Sequence, residues 1–286
     1  THIPVVKGAT YPLINTEAQT ELWEALYGRL TWKGVWMKDW AEPTIQSLPE
    51  YYDVDAPIEV SWGNPTIEAD TRIAANFFIE MVRAYPGEIT IIAGGPLTNL
   101  ALAQRLDPEF ASLTKELVYM GASFNPQQVI NNAIASDFAR EFANSPRREF
   151  NVRLDPEAAS ITSRSPWPKI TIIPVDPSTS TQLTSELLSQ AVLAAPSEMG
   201  KVLATWEPGF PLWDEIAAAV WLDPSLIVET EQLYVDYNTQ FGPCYGDTLS
   251  WRERYQPKLG EQAATVIRKV DNFRLEKLLI ENLVNL

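Results

Sequence analysis

Three short runs constrain this chain more than anything else in it: Ile89-Thr90-Ile91-Ile92-Ala93, Leu117-Val118-Tyr119-Met120 and Ile170-Thr171-Ile172-Ile173. A strand with one wet face alternates polar and apolar residues. A short run without alternation reads as a strand covered on both faces. Helical signals lie between the runs, and strands alternating with helices point to a parallel sheet with helices on both sides. The predicted fold class is therefore α/β, a Rossmann-like open, mainly parallel sheet.

The flanking signals fill in the rest. Residues 3–6 read as a first apolar strand. Thr16 with Gln19 forms a capping box that opens a helix to Tyr27, ended by Gly28. Asp70 is placed to cap a helix whose apolar face is Ile73, Phe77 and Met81, stopped by Tyr85-Pro86-Gly87. Asp155-Pro156 puts proline at the favoured first helical position, and Thr184 caps a further helix. Residues 212–222 read as a buried helix, 265–270 as a strand and 272–286 as a last helix. The long stretch 28–65 carries Trp32, Trp36, Trp40 and Trp62. It reads either as a binding loop or as a surface excursion with its own aromatic core. There is no internal repeat, low-complexity tract or linker, so one domain is expected over 1–286.

Composition limits the chemistry. Cys244 and His2 are the only residues of their kinds, which removes disulfides, thiolate metal clusters and nearly all histidine-based catalysis. Carboxylates, amides, hydroxyls or an oxygen-bound hard cation remain. With 37 acidic against 22 basic residues the formal charge is −15, which repels nucleic acid and anionic lipid. The uncharged stretch 89–104 is broken by Gly94-Gly95-Pro96, so no membrane span is expected. A soluble globule follows, cytoplasmic or secreted; the only Asn-x-Thr triplet is the discounted Asn64-Pro65-Thr66.

Ligands of open parallel sheets bind at the carboxyl ends of the strands. The loops expected there are 94–99, 121–151 and those around Asp176 and Asp214. Neither phosphate-loop motif occurs, so nucleotide phosphate has no support. Asp214, at the head of an alanine-rich helix, reads either as a partner of the helix dipole with Glu215 or as a metal ligand aimed into a cleft. Glu149 and Asn151 straddle Phe150. On an extended segment that spacing puts both on one side, as recognition of neighbouring hydroxyls needs, the other reading being a solvated loop edge.

These stretches, in this order, resemble the inosine-uridine-preferring nucleoside hydrolase family. The matching text is residues 3–9 with Tyr11-Pro12-Leu13, then 93–103, 116–121, Glu149-Phe150-Asn151, 155–159, 213–219 and the terminal strand and helix. Trp213-Asp214-Glu215 looks most like fungal members. The resemblance implies calcium-dependent hydrolysis of the N-glycosidic bond of ribonucleosides. It implies that Asp214 and the Thr98 carbonyl ligate Ca2+, with Asp214 also acting in catalysis, and that Glu149, Asn151 and Asn144 hold ribose hydroxyls. Trp213, with Trp32 and Trp36, is a candidate stacking wall for the base. It also implies a nucleoside as the small-molecule partner and assembly as a homodimer or homotetramer.

The sequence departs from the family in three places. The family's N-terminal aspartate cluster has no counterpart before Ile3, so the domain is expected to be N-terminally incomplete by about one βαβ unit, roughly 30 residues, and its own missing segment is a candidate partner. Trp213 stands where the family has histidine, and Gly121-Ala122 where it has a glycine pair. Two readings follow: a calcium-dependent ribohydrolase, or a catalytically inactive relative serving as a ligand-binding or interaction module.

Overall fold

The computed structural model describes residues 3–30, 33, 63, 66–124 and 148–284. Asn144, Trp32, Trp36 and most of the 28–65 stretch lie outside them. In chain order the elements are β1 (Val6–Lys7), α1 (Glu17–Tyr27), β2 (Asp70–Ile73), α2 (Ala74–Ala84), β3 (Thr90–Ala93), α3 (Thr98–Leu106) and β4 (Glu116–Met120). There follow α4 (Phe150–Leu154), α5 (Pro156–Ser163), β5 (Ile170–Ile173), α6 (Val175–Ser178), α7 (Ser185–Ala194) and α8 (Ser197–Leu203). The chain closes with α9 (Trp213–Leu222), β6 (Ile227–Tyr237), β7 (Thr248–Trp251), β8 (Ala263–Val270) and α10 (Asn272–Val284).

The main sheet has the order β3-β4-β5-β8-β6-β7. Its first four strands are parallel, and β6 runs antiparallel to both β8 and β7. Period-two alternation explains how an unbroken apolar run satisfies both faces. Leu117 and Tyr119 enter one core cluster with α2, α3 and α5; Val118 and Met120 enter the other with α7, α9 and α10. The doubly covered sheet read from the sequence is present.

Four local expectations need correction. Residues 3–6 do not form one strand: the strand is Val6–Lys7, Ile3 and Val5 are exposed, and β1 pairs with β2 in a separate two-stranded sheet. Pro4 has no N–H to give a ladder, which confines pairing to its C-terminal side. Asp70 caps no helix; it lies in β2 and holds the Arg72 guanidinium. The helix starts at Ala74 and buries Ala75 and Val82, with Phe78 and Ile79 packed beside them, while Ile73 is left exposed. A cap contributes about 1 kcal/mol and each buried large side chain about 2, so packing sets the phase of α2.

Third, β3 is not covered on both faces: Ile91 is buried but Ile92 is 41% exposed, because β3 is the edge strand of the described sheet. Fourth, Glu149-Phe150-Asn151 is not extended. Glu149 is the N-cap of α4 and Asn151 sits in its first turn. The expected caps at Thr16, Asp155 and Thr184 all form, each accepting a backbone N–H. The β6–β7 hairpin has no counterpart in the sequence reading, since Glu229, Glu231 and Gln232 interrupt its apolar pattern. No helix among the described residues is long and apolar enough to cross a membrane.

Candidate active site

The carboxyl ends of β3 and β4 meet the start of α4 and α9. Gly94 follows β3 with no side chain, and Asp214 occupies the space this leaves. A Cβ at Gly94 would lie 3.1 Å from the Asp214 carboxylate carbon. The Asn151 amide donates to the carbonyls of Gly94 (3.2 Å) and Met120 (3.3 Å), so one side chain ties two neighbouring strand ends together. The Glu149 carboxylate is buried beside them. It accepts backbone N–H groups from Asn151 (2.9 Å), Val152 (3.1 Å) and Ala122 (3.2 Å).

Ala122 adopts φ +80°, a left-handed conformation that costs a non-glycine residue on the order of 1 kcal/mol. It is held there from both sides: its N–H donates to Glu149, and its carbonyl accepts from the Val175 N–H at 3.1 Å. A left-handed residue after Met120 is where the family's glycine pair would fit without strain.

Burial shapes the acids. Glu149 is pushed up to about 7: burial outweighs its three N–H donors, and the nearby Asp214 charge adds to the rise. The Asp214 residue keeps part of its surface in solvent, yet the protein packed around its carboxyl group raises it above the ordinary value. Both are thus acids whose charge is costly in the absence of a cationic partner.

The remaining predicted residues fall into three groups. Thr98 opens α3, and its hydroxyl is spent on Asp155 Oδ2 at 2.6 Å, which leaves only its backbone for a ligand. Its neighbour Asn99 accepts the Ala9 N–H at 2.8 Å and so holds the N-terminal segment. Trp213 is half-buried against Phe210 and lines a cavity that Asp214 borders. Asn144 lies outside the described residues. Asp155 was legible only as a helix cap; in the fold it is fully buried and also accepts from Thr98 and from the Leu13 N–H. Its partners lie 57 and 142 residues away, and no local pattern announces them.

The family model for inosine-uridine preferring nucleoside hydrolase matches residues 1–277. The chain belongs to this family. An uncharacterized protein of Schizosaccharomyces pombe is 31% identical over 279 residues, covering 92% of this chain and 65% of that one. The pyrimidine-specific ribonucleoside hydrolase RihB of Escherichia coli is 26% identical, over 68% of this chain and 60% of its own. The chain therefore spans under two thirds of the length of these relatives. An inosine-guanosine nucleoside hydrolase structure shares the fold, with TM-score 0.67 and 19% identity over 99% of this chain and 82% of that one.

The resemblance implies Ca2+ as the ion of this site. Calcium takes six to eight oxygens, several of them carboxylate. Among the described residues no group of three or more His, Cys, Asp or Glu is placed to hold a metal. Asp214 is one carboxylate. By themselves these residues do not fit a complete calcium site.

Proposed function

We propose that the protein hydrolyses the N-glycosidic bond of ribonucleosides, water adding at C1′ as the bond to the base breaks and the base leaving with a proton. The observation that carries this reading is the placement of the Asp214 carboxylate on Gly94, at the strand ends of a nucleoside hydrolase fold. Cleavage of a glycosidic bond builds positive charge on the sugar. A carboxylate held in a partly desolvated niche stabilises such charge without reorganising. Asn151 and Glu149, locked by the strand ends, border the same niche and are proposed to position the ribose hydroxyls; Trp213 is proposed to lie against the base.

The calcium expectation rests here on two proposed ligands, the Asp214 carboxylate and the Thr98 backbone carbonyl, and no step is routed through the ion. Trp213, in the family's histidine position, is the observation that supports a second reading, a ligand-binding relative without turnover.

The test is ribose release by the full-length protein from uridine, cytidine, inosine, adenosine and guanosine, with and without a chelator, beside Asp214→Ala. Turnover that falls 100-fold or more in the variant, with an unchanged circular dichroism spectrum, supports the proposal. Loss on chelation and recovery with Ca2+ would add the ion. Absence of turnover on all five, or an Asp214→Ala enzyme as active as wild type, overturns it.

A further inference from the structure

A cavity of about 430 Å³ opens beside Asp214, within the size range of small-molecule sites. Trp206, Phe210 and Trp213 line it. Phe210 and Trp213 meet edge to face, with ring centroids 6.2 Å apart, and Trp206 keeps 48% of its surface exposed. Such walls accept any flat ring, because every base has a π face.

The polar lining is one-sided. Its charged side chains are Glu207, Asp214 and Glu215, and no Lys, Arg, His, Asn or Gln is among the described residues that line it. Among these described residues every polar side-chain end, apart from the indole N–H groups, accepts hydrogen bonds. Glu215 follows Asp214 in α9 and is partly buried; Glu207 is exposed at the rim.

We propose that this cavity receives the base and selects bases carrying an exocyclic amino group, cytosine and adenine, over their keto counterparts uracil and hypoxanthine. Asp214 touches both Gly94 and the cavity, so a ribose held at Asp214 places its base within reach of the aromatic walls. An amino group donates to the Glu215 carboxylate. A keto oxygen at the same position sets lone pairs against a carboxylate. Sites whose polar groups are left unpaired by the wrong ligand discriminate strongly, and repulsion adds to that. The identity of the ring rests on the ribohydrolase reading above; the one-sided lining does not.

The experiment compares kcat/KM of the full-length protein for cytidine against uridine and adenosine against inosine, in wild type, Glu215→Gln and Glu207→Gln. Calorimetric binding of the four free bases is measured alongside. At least a tenfold preference for the amino member of each pair is expected. Glu215→Gln, which offers an amide donor, reduces that preference tenfold, and Glu207→Gln changes it less. Equal or reversed preference in the wild type, or a Glu215→Gln ratio identical to wild type, overturns the inference. If no nucleoside is hydrolysed, the ribohydrolase reading falls and binding decides: cytosine and adenine tighter than uracil and hypoxanthine upholds the pocket, and equal or absent binding rejects it.

Discussion

Glu149 shows how a single side chain changes meaning between sequence and fold. Two apart from Asn151, it read as half of an exposed hydroxyl clamp; in the fold it is buried, 1% exposed, and caps α4. Its carboxyl is held near 7 in the folded chain against 4.5 when solvated. The unfolded chain therefore loses its proton first, and stability falls as pH rises from about 4.5 to about 7. In a chelating buffer, denaturant midpoints measured across that range should show the decline, on the order of 3 kcal/mol at its fullest. Glu149→Gln should reduce the slope whatever its offset in absolute stability. A variant that retains the slope would show that another group titrates there. Asp214 was legible as a candidate from its place at a helix start, but nothing in the sequence joined it to Gly94, 120 positions earlier, because only the close approach of two strand ends to α9 does so.

At the scale of elements, Asp155 joins three parts of the chain. Its carboxylate accepts from Ala158 in α5, from Thr98 in α3 and from Leu13 in the N-terminal segment. Removing it leaves three donors without an acceptor in a buried place, each costing about 1–3 kcal/mol. Asp155→Ala should lower unfolding free energy by roughly 3 kcal/mol or more in urea titration, and Asp155→Asn by less, since one oxygen remains. Equal effects, or a loss below about 1 kcal/mol, would mean that the three contacts are replaced by water. Most helices and the β4 and β5 strands were legible from caps and apolar runs. The phase of α2 and the edge exposure of β3 were not, because both depend on which neighbours cover a face.

For the molecule as a whole, a formal charge of −15 makes self-repulsion a term in stability. Salt screens that repulsion, the Debye length shrinking from about 30 Å at 0.01 M to about 8 Å at 0.15 M. Salt also weakens exposed ion pairs such as Lys201 with Glu198, but these are worth at most about 1 kcal/mol each. The thermal midpoint should therefore rise by a few degrees between those salt concentrations, and a midpoint that falls would place the ion pairs above the repulsion. The sequence by itself determined the covered parallel sheet, the main caps, the family and the poverty in histidine and cysteine that confines its chemistry to oxygen groups. These are local or compositional properties, written in spacing and in residue counts. Tertiary structure alone decided that Asp214 rests on Gly94, that Asn151 binds two strand ends, and that an aromatic cavity with acidic polar groups adjoins them. The Asp214 and Asn151 contacts join residues tens to more than a hundred positions apart, and only the packing of the sheet brings them together.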